Sequence, residues 1–225
     1  MARSRAGKGS AVLVADPVVS SPVGPVTGEK GPAVAPAHTD WLYHRLQISG
    51  PAEQVSAFRK EAAGAGVIPW RLDLDRMEED FFLRLAAPPP GHARTLSMEG
   101  ARLLAAELRD AVARRHALAV DRVGQSSACP FDLHALLPVT AALLRLGPDH
   151  RDALAWLWTH WGTTQALRHV AAEPASGRHP PSSSNLAVFA VAFWSADWTP
   201  WRALATLRER WPALRFAVTP RYELA

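Results

Sequence analysis

Cysteine occurs once, at Cys129. A lone thiol excludes an internal disulfide, and it excludes a zinc or iron–sulfur site held by the thiolates of one chain. Placed before Pro130, it reads as a small half-buried residue. Lysine is nearly absent, so almost all positive charge is arginine; the net charge is +4 and the pI about 9.8. No stretch of the chain is strongly basic. GC-rich codon usage accounts for the arginine bias, and phosphate recognition is its functional counterpart. Apolar runs are short as well. The longest, Leu186–Trp194, falls well below the roughly 20 residues of a membrane helix. The run Ala11–Ala15, cut off by Asp16 and Pro17, is too short for a signal-peptide core. The expectation is a cytoplasmic protein without membrane contact. No G-x-S-x-G, Walker or Rossmann glycine pattern occurs, and no cofactor is expected.

What is present centres on residues 185–211. Leu186, Val188, Ala190, Ala192 and Trp194 share one face of a strand, and Ala187, Phe189, Val191 and Phe193 share the other. A strand apolar on both faces is expected to be central in its sheet and covered on both sides. That places Trp194 in the core, where Trp194→Ala would cost about 3–5 kcal/mol. Thr199 is expected to cap a helix with Pro200 at its first position. Trp201, Leu204, Ala205, Leu207 and Trp211 form the inward face of that helix, and Pro212 ends it.

Residues 1–37, rich in Ala, Val, Pro and Gly, read as a disordered tail. In residues 38–128, Leu42–Ile48 alternates as a strand, and Val55, Phe58 and Ala62 line a helix that stops at Gly64. Trp70–Leu74 and Phe81–Leu85 read as two further strands joined through the acidic turn Asp75–Asp80. Ser97 caps a long helix with an expected buried stripe of Leu104, Leu108, Ala111 and Val112, and Leu118–Val123 reads as a short strand. Residues 129–225 repeat this order. A strand over Phe131–Leu137 leads to a helix with Leu154, Leu157, Trp158 and Trp161 that ends at Gly162. A strand over Gln165–Val170 follows, then a loop over Glu173–Ser184, the central strand, its helix and a last strand over Arg215–Tyr222. The expectation is an α+β protein of two tandem ferredoxin-like βαββαβ sandwiches, each an antiparallel sheet with helices on one face.

Three stretches carry a family resemblance: FDLHALLPV (131–139), WLWTHWGTTQAL (156–167) and FAVAFWSADWTPW (189–201), followed by WPAL and a tyrosine ending (211–222). In order and spacing they resemble the YubB-type ferredoxin-like family of plasmid- and phage-borne bacterial proteins. His160 replaces that family's Asn, Thr164 and Gln165 replace its Lys-Trp, and Asp197-Trp198 adds an acid. The resemblance implies a ferredoxin-like topology over residues 129–225 and an accessory protein of mobile-element type. It carries no established activity and no functional residues.

Two kinds of site are open. His160, Thr163, Arg168 and Asp197 are polar groups at element ends that could form a small enzymatic pocket; helix capping, and core packing by Trp161, are the structural alternative. Arg114, Arg115, Arg202 and Arg208 are candidate nucleic-acid contacts, because ferredoxin-like sheets can stack bases on aromatic side chains. A metal site at His134, His160 and His169 has the residue types but no helical H-x-x-x-H pair. The leading expectation is a non-enzymatic module that binds a macromolecule, either nucleic acid or a protein; the alternative is an enzyme using the pocket around His160, Arg168 and Asp197. A binder needs an exposed aromatic or basic face, an enzyme a concavity in which polar groups converge.

Overall fold

The computed structural model describes residues 39–87, 96–174 and 185–221. The expected tail at 1–37, the Pro88–Pro90 stretch, most of the Glu173–Ser184 loop and the end of the last strand lie outside the described residues.

Strand β1 is Trp41–Pro51 and passes at Ala52 into helix α1, Ala52–Ala62. His44, Leu46 and Ile48 are buried, whereas the odd-numbered residues between them are half-buried, so the strand separates an inner from an outer face. Val55, Phe58 and Ala62 bury the inner side of α1 at three- and four-residue steps. Strand β2 is Arg168–Glu173 and β3 is Leu186–Ala196; their helix is followed by β4, Arg215–Arg221. The four strands form one antiparallel sheet in the order β2-β3-β1-β4. With α1 after β1 and a second helix after β3, this is the split βαβ order of a single ferredoxin-like sandwich.

The tandem expectation is corrected by that sheet. Strand β1, assigned to a first lobe, lies between β3 and β4, assigned to a second. The second sheet is missing among the described residues because its strands are helix or loop. Helix α2 spans Leu74–Ala86, capped by Asp73, whose carboxylate accepts from the Arg76 amide at 3.1 Å. It absorbs both the acidic "turn" and the strand expected at 81–85. Leu74, Met77, Phe81 and Leu85 recur at helical spacing there, and acids in the first turns suit the helix N-terminus. Helix α3, Met98–Val120, is capped by Ser97 as expected, but it runs on through the strand expected after Leu118. Its buried residues are Ala101 and Ala105, not Leu104 and Leu108, which are each 39% exposed. The strand expected at 131–137 is instead the short helix α4, Leu133–Leu136, capped by Asp132 onto the His134 amide at 2.8 Å.

Helices α5, Ala141–Leu146, and α6, Arg151–His160, complete a helical insertion between α1 and β2. Gly162, at φ 78°, ends α6, its amide bonding the Leu157 and Trp158 carbonyls at 3.1 Å. A Cβ there would meet the amide nitrogens of Trp201 and Arg202 at 3.3 Å, so glycine lets α6 end against the start of α7, Trp201–Arg210. Trp161 is fully buried and donates its indole N–H to the Leu137 carbonyl at 3.1 Å.

The core lies on one face of the sheet. Leu46, Ile48, Phe189, Val191, Phe193 and Phe216 from the strands meet Phe58, Phe131, Leu204 and Leu207. Phe58 makes edge contacts with Phe216 at 5.4 Å and Trp211 at 5.5 Å, and Phe131 stacks on Phe193 at 5.8 Å. Such pairs add to the area they bury. No helix among the described residues is long and apolar enough to cross a membrane.

Candidate functional site

The outer face of the sheet is built by strand register alone. Arg168, Trp194, Tyr43 and Arg221 align across the four strands, and Ala171, Ala192, Arg45 and Thr219 form the next row. Glu173, Ala190, Gln47 and Ala217 form the row after that. Small alanines sit between long side chains, leaving a shallow depression of about 190 Å³ lined by Arg45, Gln47, Glu173, Thr219 and Arg221. Trp194 is 37% exposed and meets Tyr43 edge-on at 5.4 Å. It is therefore not a core residue, which corrects the expected covering of β3 on both sides. The reason is that Ala190 and Ala192, its companions on that face, are small enough to be shielded by their neighbours on the sheet.

Trp41 extends the aromatic row, with the Arg168 guanidinium stacked over its ring at 3.9 Å. One acid lies among these cations. Glu173 accepts from the Arg45 guanidinium at 2.5 Å and from the Tyr43 hydroxyl at 3.1 Å. Burial first, and then the bond to Glu173 and its charge, hold the Tyr43 pKa above the usual phenol value. The acid is thus occupied within the face, while Arg168 and Arg221 stand exposed beside the rings. Aromatic rings accept the π-face of any base, and guanidinium forks match phosphate oxygens.

The four pocket residues do not converge. Thr163 and Asp197 do come together at the corner after β3, although the turns that carry them are far apart in the chain. The Thr163 hydroxyl donates to the Ala196 carbonyl at 2.8 Å, and the Thr164 hydroxyl donates to the Asp197 carboxylate. Asp197, at φ 65°, also accepts from the Asp40 amide at 3.3 Å, and its own amide donates to the Asp40 carbonyl at 2.6 Å. The corner is a latch between β1, β3 and the end of α6. Arg168 instead belongs to the outer face. His160 stacks on Trp156 at 4.4 Å, one Nδ1 contact away from the Trp156 carbonyl at 2.9 Å. With Arg202 it lines a different groove, of about 570 Å³, between α6 and α7.

Behind the latch, His44 is fully buried. Its Nδ1 lies 2.9 Å from the Leu42 carbonyl, an acceptor only, so Nδ1 carries the proton and Nε2 accepts from the Thr199 hydroxyl at 2.8 Å. Thr199 therefore serves the histidine rather than capping α7, whose N-cap is Pro200 without a side-chain bond. Ser195 donates to the Trp198 carbonyl at 2.6 Å and sits 3.4 Å from the protonated Nδ1. With the proton on the nitrogen nearest the serine, the pair cannot act as nucleophile and base. Burial holds the His44 pKa below its ordinary value.

The helical arginines lie elsewhere. Arg202 and Arg208 are exposed on α7, which packs on the core side of the sheet, and Arg208 donates to the Phe216 carbonyl at 3.2 Å. Arg114 and Arg115 are exposed on α3. None of the four reaches the outer face. No cluster of three or more His, Cys, Asp or Glu able to hold a metal occurs among the described residues. His134 accepts from the Val139 amide at 3.2 Å, and burial pushes the Cys129 thiol up to about 11, leaving it protonated at neutral pH. The residues that sequence reasoning missed are Trp41, Tyr43, Arg45 and Arg221. The alternation of β1 was the signal that could have found the first three, and that of β4 the signal for Arg221.

These features define a class: an α+β sandwich with one four-stranded antiparallel sheet, helices packed on its inner face and a helical insertion after α1. No protein-family model matches the chain, and no curated protein matches it. Among solved structures, a protein api92 from Yersinia pseudotuberculosis, described by the family model DUF1281, is similar at 13% identity and a TM-score of 0.40, over 81% of this chain and 90% of that one.

Proposed function

We propose that the chain is a non-catalytic binding module that takes nucleic acid on the outer face of its sheet, an accessory protein of the mobile-element kind that the YubB-type resemblance implies. The observation that carries this reading is the row Arg168–Trp194–Tyr43–Arg221, with Trp41 beside it: rings large enough to stack bases, flanked by arginines, on a face that no described helix covers. Stacking needs unpaired bases, so single strands are preferred over duplex. The depression floored by alanines gives a flat ring room to lie against the sheet. The enzymatic alternative has less support, because His160, Arg168 and Asp197 point their chemistry at three different places.

The test is fluorescence anisotropy of labelled single-stranded RNA, single-stranded DNA and duplex DNA against the full chain over a salt series. Binding is expected to fall steeply with salt, as phosphate contacts require. Trp194→Ala is expected to weaken it by about 1–3 kcal/mol, the worth of one stacked base. Absence of binding at low salt, or a Trp194→Ala variant that binds as tightly as the parent chain, would sink the reading.

A further inference from the structure

A further concavity, of about 430 Å³, adjoins the outer face at Arg168 and is of ordinary size for a small-ligand pocket. Its lining comes from four separated segments: the irregular chain after α1, α3 through His116, the start of α6, and the turn into β2. The irregular segment is fixed at several points. Gly64 and Cys129 exchange backbone hydrogen bonds at 3.0 and 2.9 Å, and the Gly66 amide donates to the Asp132 carboxylate at 2.8 Å. Further on, the Trp70 carbonyl accepts from His116 at 2.7 Å, and the Arg71 amide donates to the Leu144 carbonyl at 2.9 Å. The turn into β2 is held by the bond from Thr164 to Asp197. The pocket is thus built by the fold itself, with the half-buried Trp70 ring and Leu167 among its apolar lining.

Its polar groups are few. The partner of His116 Nε2 is a carbonyl, which only accepts, so Nε2 carries the proton and Nδ1 of the neutral ring is an acceptor. Asp149 is an exposed carboxylate with no partner among the described residues. Gln165 Oε1 accepts from Arg168 at 3.2 Å, which leaves the Gln165 NH2 group to donate. The lining therefore offers two acceptors, one amide donor and a guanidinium. A ligand that satisfies it is flat, with adjacent N–H donors and an acceptor beside them. Among the common bases guanine has that edge: N1–H and the N2 amino group side by side, then O6. Adenine and cytosine place a ring acceptor beside their one amino group, and uracil sets a single N–H between two carbonyls. Opposite a carboxylate those acceptors meet a second lone pair, so a site of this kind rejects the wrong base more sharply than an apolar slot would.

We propose that this pocket takes a guanine base, with Asp149 and His116 accepting from N1–H and the N2 amino group and Gln165 donating to O6. Arg168 joins the pocket to the aromatic row, since its guanidinium lies over Trp41 and its strand position pairs with Trp194. The base is then one nucleotide of a strand lying on the outer face, a step that rests on the nucleic-acid reading of that face; the choice of guanine does not.

Nuclear magnetic resonance titration of the full chain with GMP, IMP and AMP tests the pocket by itself. GMP is expected to shift the Trp70 indole and Gln165 side-chain signals. IMP, which lacks only the N2 amino group, is expected to bind about tenfold more weakly, and AMP more weakly still. Asp149→Ala, at an exposed position, is expected to remove most of the advantage of GMP and to leave thermal unfolding unchanged. Anisotropy of labelled uridine tracts with one central guanosine carries the test to the strand. Exchanging that guanosine for inosine is expected to weaken binding about tenfold, and Asp149→Ala to erase this difference without altering affinity for the all-uridine tract. Equal affinity for GMP and IMP overturns the proposal. So do strands that bind through Trp194 yet do not distinguish guanosine from inosine, and that result leaves the reading of the sheet intact. A preference for GMP in a chain that binds no strand at low salt overturns instead the reading of the sheet and the link through Arg168, and leaves the guanine site standing.

Discussion

Phe193 and Trp194 are neighbours in the chain and occupy opposite environments. Phe193 is fully buried against Phe131 and His44, whereas Trp194 lies on the outer face with more than a third of its surface in water. The inner face of the sheet is a sealed aromatic core. The outer face is a mosaic of rings, arginines and small alanines held by lateral contacts within the sheet. The larger, more water-fearing side chain is the exposed one, so bulk alone does not say which face is covered. What decides is whether helices are available to pack there, and α1 and α7 both go to the other side.

The sharpest way to break this contrast is to truncate the two residues separately. Phe193→Ala is expected to lose about 3–5 kcal/mol in urea unfolding, while Trp194→Ala is expected to lose only about 1 kcal/mol, the scale of its edge contact with Tyr43. Equal losses would mean that the outer face is covered after all. A second test concerns the latch at the end of β3. Asp197→Ala removes an acceptor shared by Thr164 and Asp40 and puts a Cβ residue with no side-chain acceptor at a left-handed φ. It should cost about 2 kcal/mol, and Asp197→Asn, which keeps an acceptor and tolerates that φ, should cost clearly less in the same unfolding experiment.

Acid should attack the inner face first. His44 and His134 are both held below the ordinary histidine pKa by burial. The unfolded chain therefore takes up protons at these sites before the folded one does. Their contribution is fully present above about pH 6.5 and is lost as pH falls towards the folded values, by up to about 1.4 kcal/mol per pH unit for each histidine. Denaturation curves at roughly pH 7.5 and 5.5 check this, and His44→Gln should flatten the dependence. The smallest effect is expected on the outer face: Glu173→Gln should change stability by less than about 1 kcal/mol, because both partners of the Arg45 pair remain partly in water. It should also bring the Tyr43 pKa down, which ultraviolet titration would read.

Elements that carry several turns or a long alternation were legible before the structure was known. Strand β1, helix α1, the Ser97 cap, α6 with its Gly162 stop, the central place of β3, and the extents of α7 and β4 all agree with their periodicity; the inward face of α7 does not, because it buries Ala203, Leu204 and Leu207 and leaves Trp201 and Ala205, expected inward, exposed. Segments of four or five residues were not legible. Trp70, Leu72 and Leu74 alternate as well as any strand, yet Asp73 caps a helix that begins at Leu74, because the next ten residues repeat at helical spacing. Phe131–Leu137 is apolar enough for a buried strand, but Asp132 turns it into a helix by capping His134 while its other carboxylate oxygen takes the Gly66 amide at 2.8 Å. For the site, Thr163 and Asp197 were recognised as polar corner residues and do meet. Their partner Thr164 was not foreseen, and neither was the histidine behind them, which lies 155 positions from Thr199, since residues so far apart carry no mutual signal in one sequence.

The order of amino acids specifies where strands and helices start and stop over most of this chain, through period, caps and prolines, and it specifies that β3 has neighbours on both sides. Which strands those are is settled only on folding. Backbone donors and acceptors in β1 can pair with any antiparallel partner of matching register, so choice of partner rests on the shared core that Leu46 and Ile48 build with Val191, Phe193 and Phe216. That choice merges two apparent repeats into one sheet, and it brings Trp41, Tyr43, Trp194 and the arginines onto a single face.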